Sequence, residues 1–333
     1  MRAAIYRRFG PPEVVGIEEV PTPSPGRDEV LIRVCASTVS AADYRARTRI
    51  VPSGLAVPVA LALGVFRPRR SILGMDVAGV VEAVGADVTT FAPGDEIVAM
   101  LGARFGGHAQ YVCIPASGAI TAKPDNMTFA EAVALVFGGV TAQAFLDRAS
   151  VGPGARVLVN GASGAVGTAA IQLATVRGAH VTAVCSSANH DLVTTLGADE
   201  VIDYAVADFT QEARCDVIMD CVGNAPFRRV EGALNDGGAL LLVVADLKAI
   251  LGASRASRTS GKVVTAQEVV YTAEALSRLV LLAEAGKFRP VIDRRYDFAD
   301  IVDAHRYVDT GRKKGSVVLD IPSPTSSSQE GPQ

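Results

Sequence analysis

The sequence predicts an α/β fold, with a parallel, doubly wound sheet set between the two ends of a chain that otherwise builds a small β domain. Three observations predict it. The stretch "LVNGASGAVGTAA", Leu158 to Ala170, joins an apolar strand to a helix through a glycine-rich turn. About ninety residues from there onward alternate strand and helix, whereas about 120 residues before it read as short strands parted by turn residues. A single strand at the far end then needs a partner.

From the amino end, "RAAIYRR", "EVVGIEEVP", "DEVLIRVCAS", "DVAGVVEAVG", "GDEIVAM" and "HAQYVCIP" are the expected strands. Val30, Ile32 and Val34 alternate with Leu31, Arg33 and Cys35, the period of a strand with two unlike faces. The tight turns "PGRDE" and "APGDE" precede two of them, a pattern that suits a small barrel or sandwich.

Next, "ARVLV" at 155–159, bounded by the turn "GPG", reads as a buried parallel strand. The helix beyond the glycine turn carries apolar residues at Ala169, Ile171, Ala174 and Val176, with Gly178 as its stop. Gly161, Gly164 and Gly167 fall at G-x-x-G-x-x-G. That spacing lets the chain turn tightly, bring bare backbone to a diphosphate and pack helix on strand, but alone it serves a glycine-tolerant bend equally well. The sequel favours the phosphate cradle. "HVTAVCSS" at 180–187 is a second strand, "DLVTTLGA" a helix, and "EVIDY" (200–204), "CDVIMDCVG" (215–223) and "GGALLLVV" (237–244) are further strands. The N-terminus of the first helix then offers free N–H groups to the anion. An amphipathic helix over Thr272–Phe288, a second helical stretch "FADIVDAHRYVDTGR" and the strand "SVVLDI" close the chain. The last strand pairs most simply with the amino-terminal β domain, which makes the nucleotide unit an insertion with a cleft beside it.

The 333 residues suffice for two domains, and a net charge of −3 offers no nucleic-acid surface. The longest apolar run, Val57 to Phe66, is too short to span a bilayer, and the first residues lack the apolar core of a secretory signal. Five scattered cysteines indicate reduced thiols. A cytoplasmic homodimer acting on a small molecule, with neither nucleic acid nor membrane as partner, is therefore expected. The polar tail, 322–333, reads as disordered.

Taken together and in order, "PGRDEVLIRV", "SAAD", "LGMDVAGVVEAVGADVTTFAPGDEI", "VNGASGAVGTAAIQLA", "LGADEVIDY" and "KGSVVLDI" resemble the medium-chain dehydrogenase/reductase superfamily, in its zinc-free quinone oxidoreductase-like branch. The resemblance covers residues 1–321 and implies a GroES-like β-barrel catalytic domain (1–124 and 289–321) around a Rossmann-type cofactor domain (125–288). Zinc-dependent relatives carry cysteine, histidine and cysteine at positions that match Ser40, Met75 and Phe137, none of them a strong zinc ligand. The structural-zinc lobe is missing as well, since 100–107 reads "MLGARFGG", and His108, His180, His190 and His305 show no paired spacing. No metal is expected, and Ser40, Met75 and Phe137 are expected to line the substrate pocket.

For the cofactor, the resemblance implies contacts from Ser163, Gly164, Ala165, Val166, Gly167 and Val222. At the end of the second strand Cys185 stands where an NAD site needs a carboxylate, and Ser186, Ser187 and Tyr204 suit the 2′-phosphate of NADPH. Those serines equally begin a loop, and no Arg or Lys stands beside them; His190 adds charge only when protonated. Thr141 matches a threonine near the nicotinamide, at the start of the linking helix, or is a helix N-cap. Asp43 and Tyr44 are the catalytic candidates, with Tyr44 as proton donor or as a ring packed beneath a loop. The segment Arg45 to Ser71, with Arg67, Arg69 and Arg70 after its apolar run, reads as pocket wall, lid or solvated edge. No Tyr-x-x-x-Lys pair and no G-K-[ST] loop occurs. The expected function is NADPH-dependent, metal-free reduction of a quinone or an α,β-unsaturated carbonyl. A metal-free carbonyl or alcohol oxidoreductase and a non-catalytic NADPH-binding protein are the alternatives.

Overall fold

A computed structural model describes residues 1–212, 214–267 and 269–324. Of the tail read as disordered, residues 325–333 lie outside the described residues. Strands β1 (Arg2–Tyr6) and β2 (Val15–Glu19) form an antiparallel ribbon. The barrel follows, from β3 (Glu29–Val39), β4 (Asp76–Val84), β5 (Glu96–Met100), β6 (Tyr111–Pro115) and β7 (Ala119–Ala122). Strand β3 is its axis, pairing antiparallel with both β4 and β6, and β5 joins β4 to β7. Two helices that the sequence pattern does not announce, α1 (Ala41–Thr48) and α2 (Ala56–Leu63), fill the connection from β3 to β4.

Helix α3 (Phe129–Leu146) links the barrel to the second sheet. A capping box of Thr128 and Glu131 starts it, so Thr141 sits well inside the helix and is neither its start nor its cap. Among the described residues this is the one helix long and apolar enough to cross a bilayer, and 78% of that window is buried inside the fold. It packs on strands of the barrel and on helices of the cofactor domain, so its apolarity is that of a core helix.

The second sheet is wholly parallel: β8 (Arg156–Asn160), β9 (His180–Cys185), β10 (Glu200–Asp203), β11 (Cys215–Asp220), β12 (Leu234–Leu242) and β13 (Val263–Thr265) lie in the order β10-β9-β8-β11-β12-β13. Helices α4 (Ala165–Val176), α5 (His190–Thr195), α6 (Phe209–Glu212), α7 (Phe227–Val230), α8 (Leu247–Ser260) and α9 (Ala273–Glu284) connect and cover the strands. The order reverses between β8 and β11, the switch point at which doubly wound sheets bind ligands. Ala169, Ile171 and Ala174 bury α4 against the sheet, but Val176 is 41% exposed because the helix has run past the sheet by its last turn.

The chain then returns to the barrel with β14 (Ile292–Asp297), α10 (Ile301–Asp309) and β15 (Ser316–Asp320). Val317 to Asp320 pair antiparallel with Val39 to Ala36, so both chain ends share one sheet. Cys35, Cys113, Cys185, Cys215 and Cys221 are all free thiols.

Candidate active site

At the end of β8 the chain turns on Gly161, whose φ of +79° is one that side chains rarely adopt. A Cβ there would lie 2.7 Å from Val222 Cγ2, and a Cβ on Gly167 would lie 2.3 Å from Gly161 O. Close packing of β8, α4 and the end of β11 therefore excludes side chains at both positions. Gly164 differs. It is the N-cap of α4 with ordinary extended backbone, and its Cβ would meet only Gly161 O, at 3.5 Å. No side chain caps α4, so the N–H groups of Ala165, Val166 and the rest of its first turn remain for an anion. Gly164 opens on a groove of about 800 Å³ lined by Ser163, Gly164, Tyr204, Val222, Arg229 and Lys313 among others.

A buried carboxylate that sequence reading missed shapes the far wall. Asp220, at the end of β11, accepts from Asn160 Nδ2 at 2.9 Å, from the N–H groups of Val222 and Gly223 at 3.0 Å each, and from Ala225 N–H at 2.9 Å. The turn carrying Val222 is thereby tied to the strand before the glycine loop.

At the end of β9, Ser186 Oγ accepts from Asn189 Nδ2 at 3.1 Å, and Ser187 N–H donates to Asp203 Oδ2 at 3.1 Å. Asp203 Oδ1 accepts from Ala205 N–H at 2.9 Å, and Tyr204, between them, is 64% exposed beside the groove. His190 Nε2 and Asn189 Oδ1 are buried without partners among the described residues. The cation that no neighbouring residue supplies comes from 126 residues away: Lys314 Nζ stands 3.5 Å from Ala188 O. Gly315 N–H donates to Ser163 O at 2.8 Å, which lays the turn before β15 across the glycine loop and brings Lys313 to the groove. Burial pushes the Lys313 ammonium down to about 8, against the pull of Asp293 and Asp76. No local spacing signals either lysine's role, because the contact joins two domains.

On the substrate side, Asp43 is fully buried and bound on both oxygens. Oδ2 accepts from Ser40 N–H at 2.8 Å and Ser40 Oγ at 2.7 Å, and Oδ1 from Gly74 N–H at 2.8 Å. It closes the capping box of α1 and holds the chain just before Met75, so both oxygens of this catalytic candidate are engaged in positioning backbone and Ser40. Asp76, on the other side of Met75, takes Thr38 N–H and Oγ1 and a bond from the Phe137 backbone; burial pushes its carboxyl up to about 7. These bonds gather Ser40, Met75 and Phe137 into one neighbourhood. Tyr44 is half-buried on α1 beside Arg45, with no bond to its hydroxyl among the described residues. Thr141 is 5% exposed and its Oγ1 has no partner among the described residues, a cost of about 1–3 kcal/mol that a bound amide or hydroxyl would relieve.

The groove's bare glycine backbone, uncapped helix end and Lys313, with Lys314 beside the loop after β9 and the Thr141 hydroxyl on α3, fit a nicotinamide dinucleotide. They do not fit a catalytic zinc. Ser40 is committed to Asp43, Met75 and Phe137 offer no strong ligand, and among the described residues no three of His, Cys, Asp and Glu cluster to hold a metal. His108 and His305 are buried as an edge-on pair with centroids 5.7 Å apart; His108 Nε2 meets Thr38 O at 3.0 Å, and burial holds His305 neutral.

Two family profiles match the chain: the alcohol dehydrogenase GroES-like domain over residues 26–125 and zinc-binding dehydrogenase over residues 196–319. The chain is 33% identical to the chloroplastic quinone-oxidoreductase QR1 of Triphysaria versicolor, over 96% of this chain and 98% of that protein. It is 32% identical to the 2-methylene-furan-3-one reductase of Solanum lycopersicum, over 96% of this chain and 79% of that one. Its fold matches the quinone oxidoreductase from Coxiella burnetii with a TM-score of 0.85 and 29% identity, covering 97% of this chain and 99% of that one.

Proposed function

Because the chain belongs to the medium-chain dehydrogenase/reductase family, in its quinone oxidoreductase branch, we propose that it reduces a quinone or an α,β-unsaturated carbonyl with NADPH and without a metal. It is an oxidoreductase of a nicotinamide-dependent family. The observation that carries the finer reading is the donor set of the substrate pocket: a serine hydroxyl committed to Asp43, a thioether and a phenyl ring. Oxidising an alcohol requires its proton to leave with the hydride, and that demands a Lewis acid or a strong base. A quinone or enone needs less, since its own conjugation carries the developing charge to oxygen.

The dihydronicotinamide, when bound, supplies the hydride. Gly164, Ala165, Val166 and Gly167 receive the diphosphate on backbone N–H groups, and Ser163 and Val222 flank it. Thr141 Oγ1 orients the nicotinamide end. Ser40, Met75 and Phe137 wall the pocket and exclude water, and Asp43 keeps that wall in place. Because the Ser40 proton is engaged, the proton that neutralises the product comes from Tyr44 or from water.

NADPH is preferred because Ser186, Ser187 and Tyr204 would hold the 2′-phosphate, with the Lys314 ammonium at Ala188 O supplying positive charge to the same loop. Asp203 faces the same loop, its carboxylate accepting from two backbone N–H groups, and the Lys314 ammonium offsets its charge. Losing charge-assisted contacts of this kind costs about 1.5–3 kcal/mol, a tenfold or greater preference over NADH.

The test is a panel of quinones, enones and aldehydes with NADPH, beside secondary alcohols with NADP⁺. Quinone or enone turnover, indifferent to chelator, is expected. Turnover of alcohols alone overturns the reaction, and unchanged nicotinamide absorbance with every substrate makes the protein a binder.

A further inference from the structure

Helix α2 is apolar on every side, and none of its eight residues is buried. A helix of that composition belongs in a core or against lipid. Val57 is 69% exposed and Leu61 58%, and just beyond the helix Phe66 is 91% exposed. The segment is nevertheless held in shape. Arg49 stacks on Phe9 and donates to Val65 O at 2.7 Å, and Arg69 N–H donates to Leu63 O at 2.8 Å.

The apolar face continues on α8. Leu247 N–H donates to Ser53 O at 3.0 Å, which sets α8 beside the chain entering α2, and Ile250 and Leu251 are exposed on it. Charge is segregated around this face in a chain whose net charge is −3. From Tyr44 to Met75 there are six arginines and no Asp or Glu, and from Leu247 to Gln267 four cations and again no carboxylate. Arg67, Arg69, Arg70, Lys248, Arg255 and Arg258 are all exposed, and among the described residues none of them has an ion-pair partner. Exposed apolar residues borne on two segments whose only charges are cations complement a surface with acyl chains beneath anionic headgroups.

We propose that α2, Phe66 and the adjoining face of α8 form a docking surface that rests on an anionic lipid bilayer. The helix is too short to span one and lies in the interface instead. The segment that bears it runs between Asp43 and Met75 in the chain. Vesicle binding itself requires no turnover and stands apart from the proposed reaction.

The test is co-sedimentation of the full chain with vesicles of phosphatidylcholine alone or mixed with phosphatidylglycerol. Binding to the mixed vesicles, weakened by salt, is expected. Leu61→Asp with Phe66→Asp should lower the bound fraction tenfold or more, as should Arg67, Arg69 and Arg70 exchanged together for Glu. Leu281→Asp, at an exposed apolar site on α9, should bind like the parent. Melting temperature and quenching-based NADPH titration verify that each variant is folded. Equal binding to neutral and anionic vesicles, or binding indifferent to the Leu61 and Phe66 changes, overturns the proposal. A concentration-dependent dimer that these changes dissolve, without vesicle binding, assigns the face to a second copy. A raised substrate KM without vesicle binding makes the segment a lid.

Discussion

Lys314 and Asp203 face the same loop from opposite sides of the domain boundary, and the balance between them sets how the 2′-phosphate is received. Replacing Lys314 with Glu should therefore lower kcat/KM for NADPH tenfold or more and leave NADH little changed, as initial rates with each cofactor would reveal. Asp76 offers a second residue-level test. Its folded carboxyl is raised to about 7 from 3.8, so the folded chain holds a proton that the unfolded chain releases between those values. Asp76 thus stabilises most at low pH, and the contribution falls as pH climbs from about 4 to about 7. Asp76→Asn, which cannot ionise, should flatten this slope. The difference in unfolding free energy between the two proteins, measured by urea titration across that range, should shift steadily against the parent; a constant difference would show Asp76 ionised throughout.

Among the elements, the glycine loop separates two kinds of glycine that sequence spacing cannot tell apart. On Gly167 a methyl would strike Gly161 O, and the clash of α4 with the end of β8 should lower both stability and cofactor affinity. On Gly164 the methyl meets only ordinary contact and projects where ligand backbone contact is needed. Gly164→Ala should keep the melting temperature of the free protein within a few degrees and still weaken NADPH tenfold or more, whereas Gly167→Ala should lower both. Calorimetric melts with and without NADPH distinguish the two. Equal thermal loss in both variants would mean that Gly164 faces protein.

For the whole molecule, the barrel is completed by β15, whose preceding turn also crosses the glycine loop, so cofactor binding and domain closure share one connection. The same assembly holds Ser40, Met75 and Phe137 together without a ligand set for metal. Purified protein should carry well under one zinc per chain by elemental analysis, and chelator should leave both its melting temperature and its NADPH affinity unchanged. One zinc per chain, lost together with stability on chelation, would contradict this reading of the pocket.

The parallel sheet was legible because its signal is local: valine-rich runs, a fixed glycine spacing and a strand rhythm all lie within a few residues of one another. The start of α3 is not legible in that way: the family resemblance sets it at Thr141, whereas the Thr128 and Glu131 capping box leaves Thr141 well inside the helix. The short β7 and β13 carry too few residues for a pattern, β14 has four charged residues among its six, and α2 lacks the one-sided burial by which helices announce themselves. Periodicity and glycine spacing determined the doubly wound sheet, and the resemblance carried by the ordered motifs implied the family and the absence of a zinc ligand triad at Ser40, Met75 and Phe137. Tertiary structure alone decided that Lys314 reaches Ala188, that Asp43 is spent on positioning, and that Phe66 stands out in solvent. The Lys314 contact, the Gly74 N–H that completes the Asp43 bonds and the solvent around Phe66 depend on which distant segments meet, and such meetings leave no period in the chain.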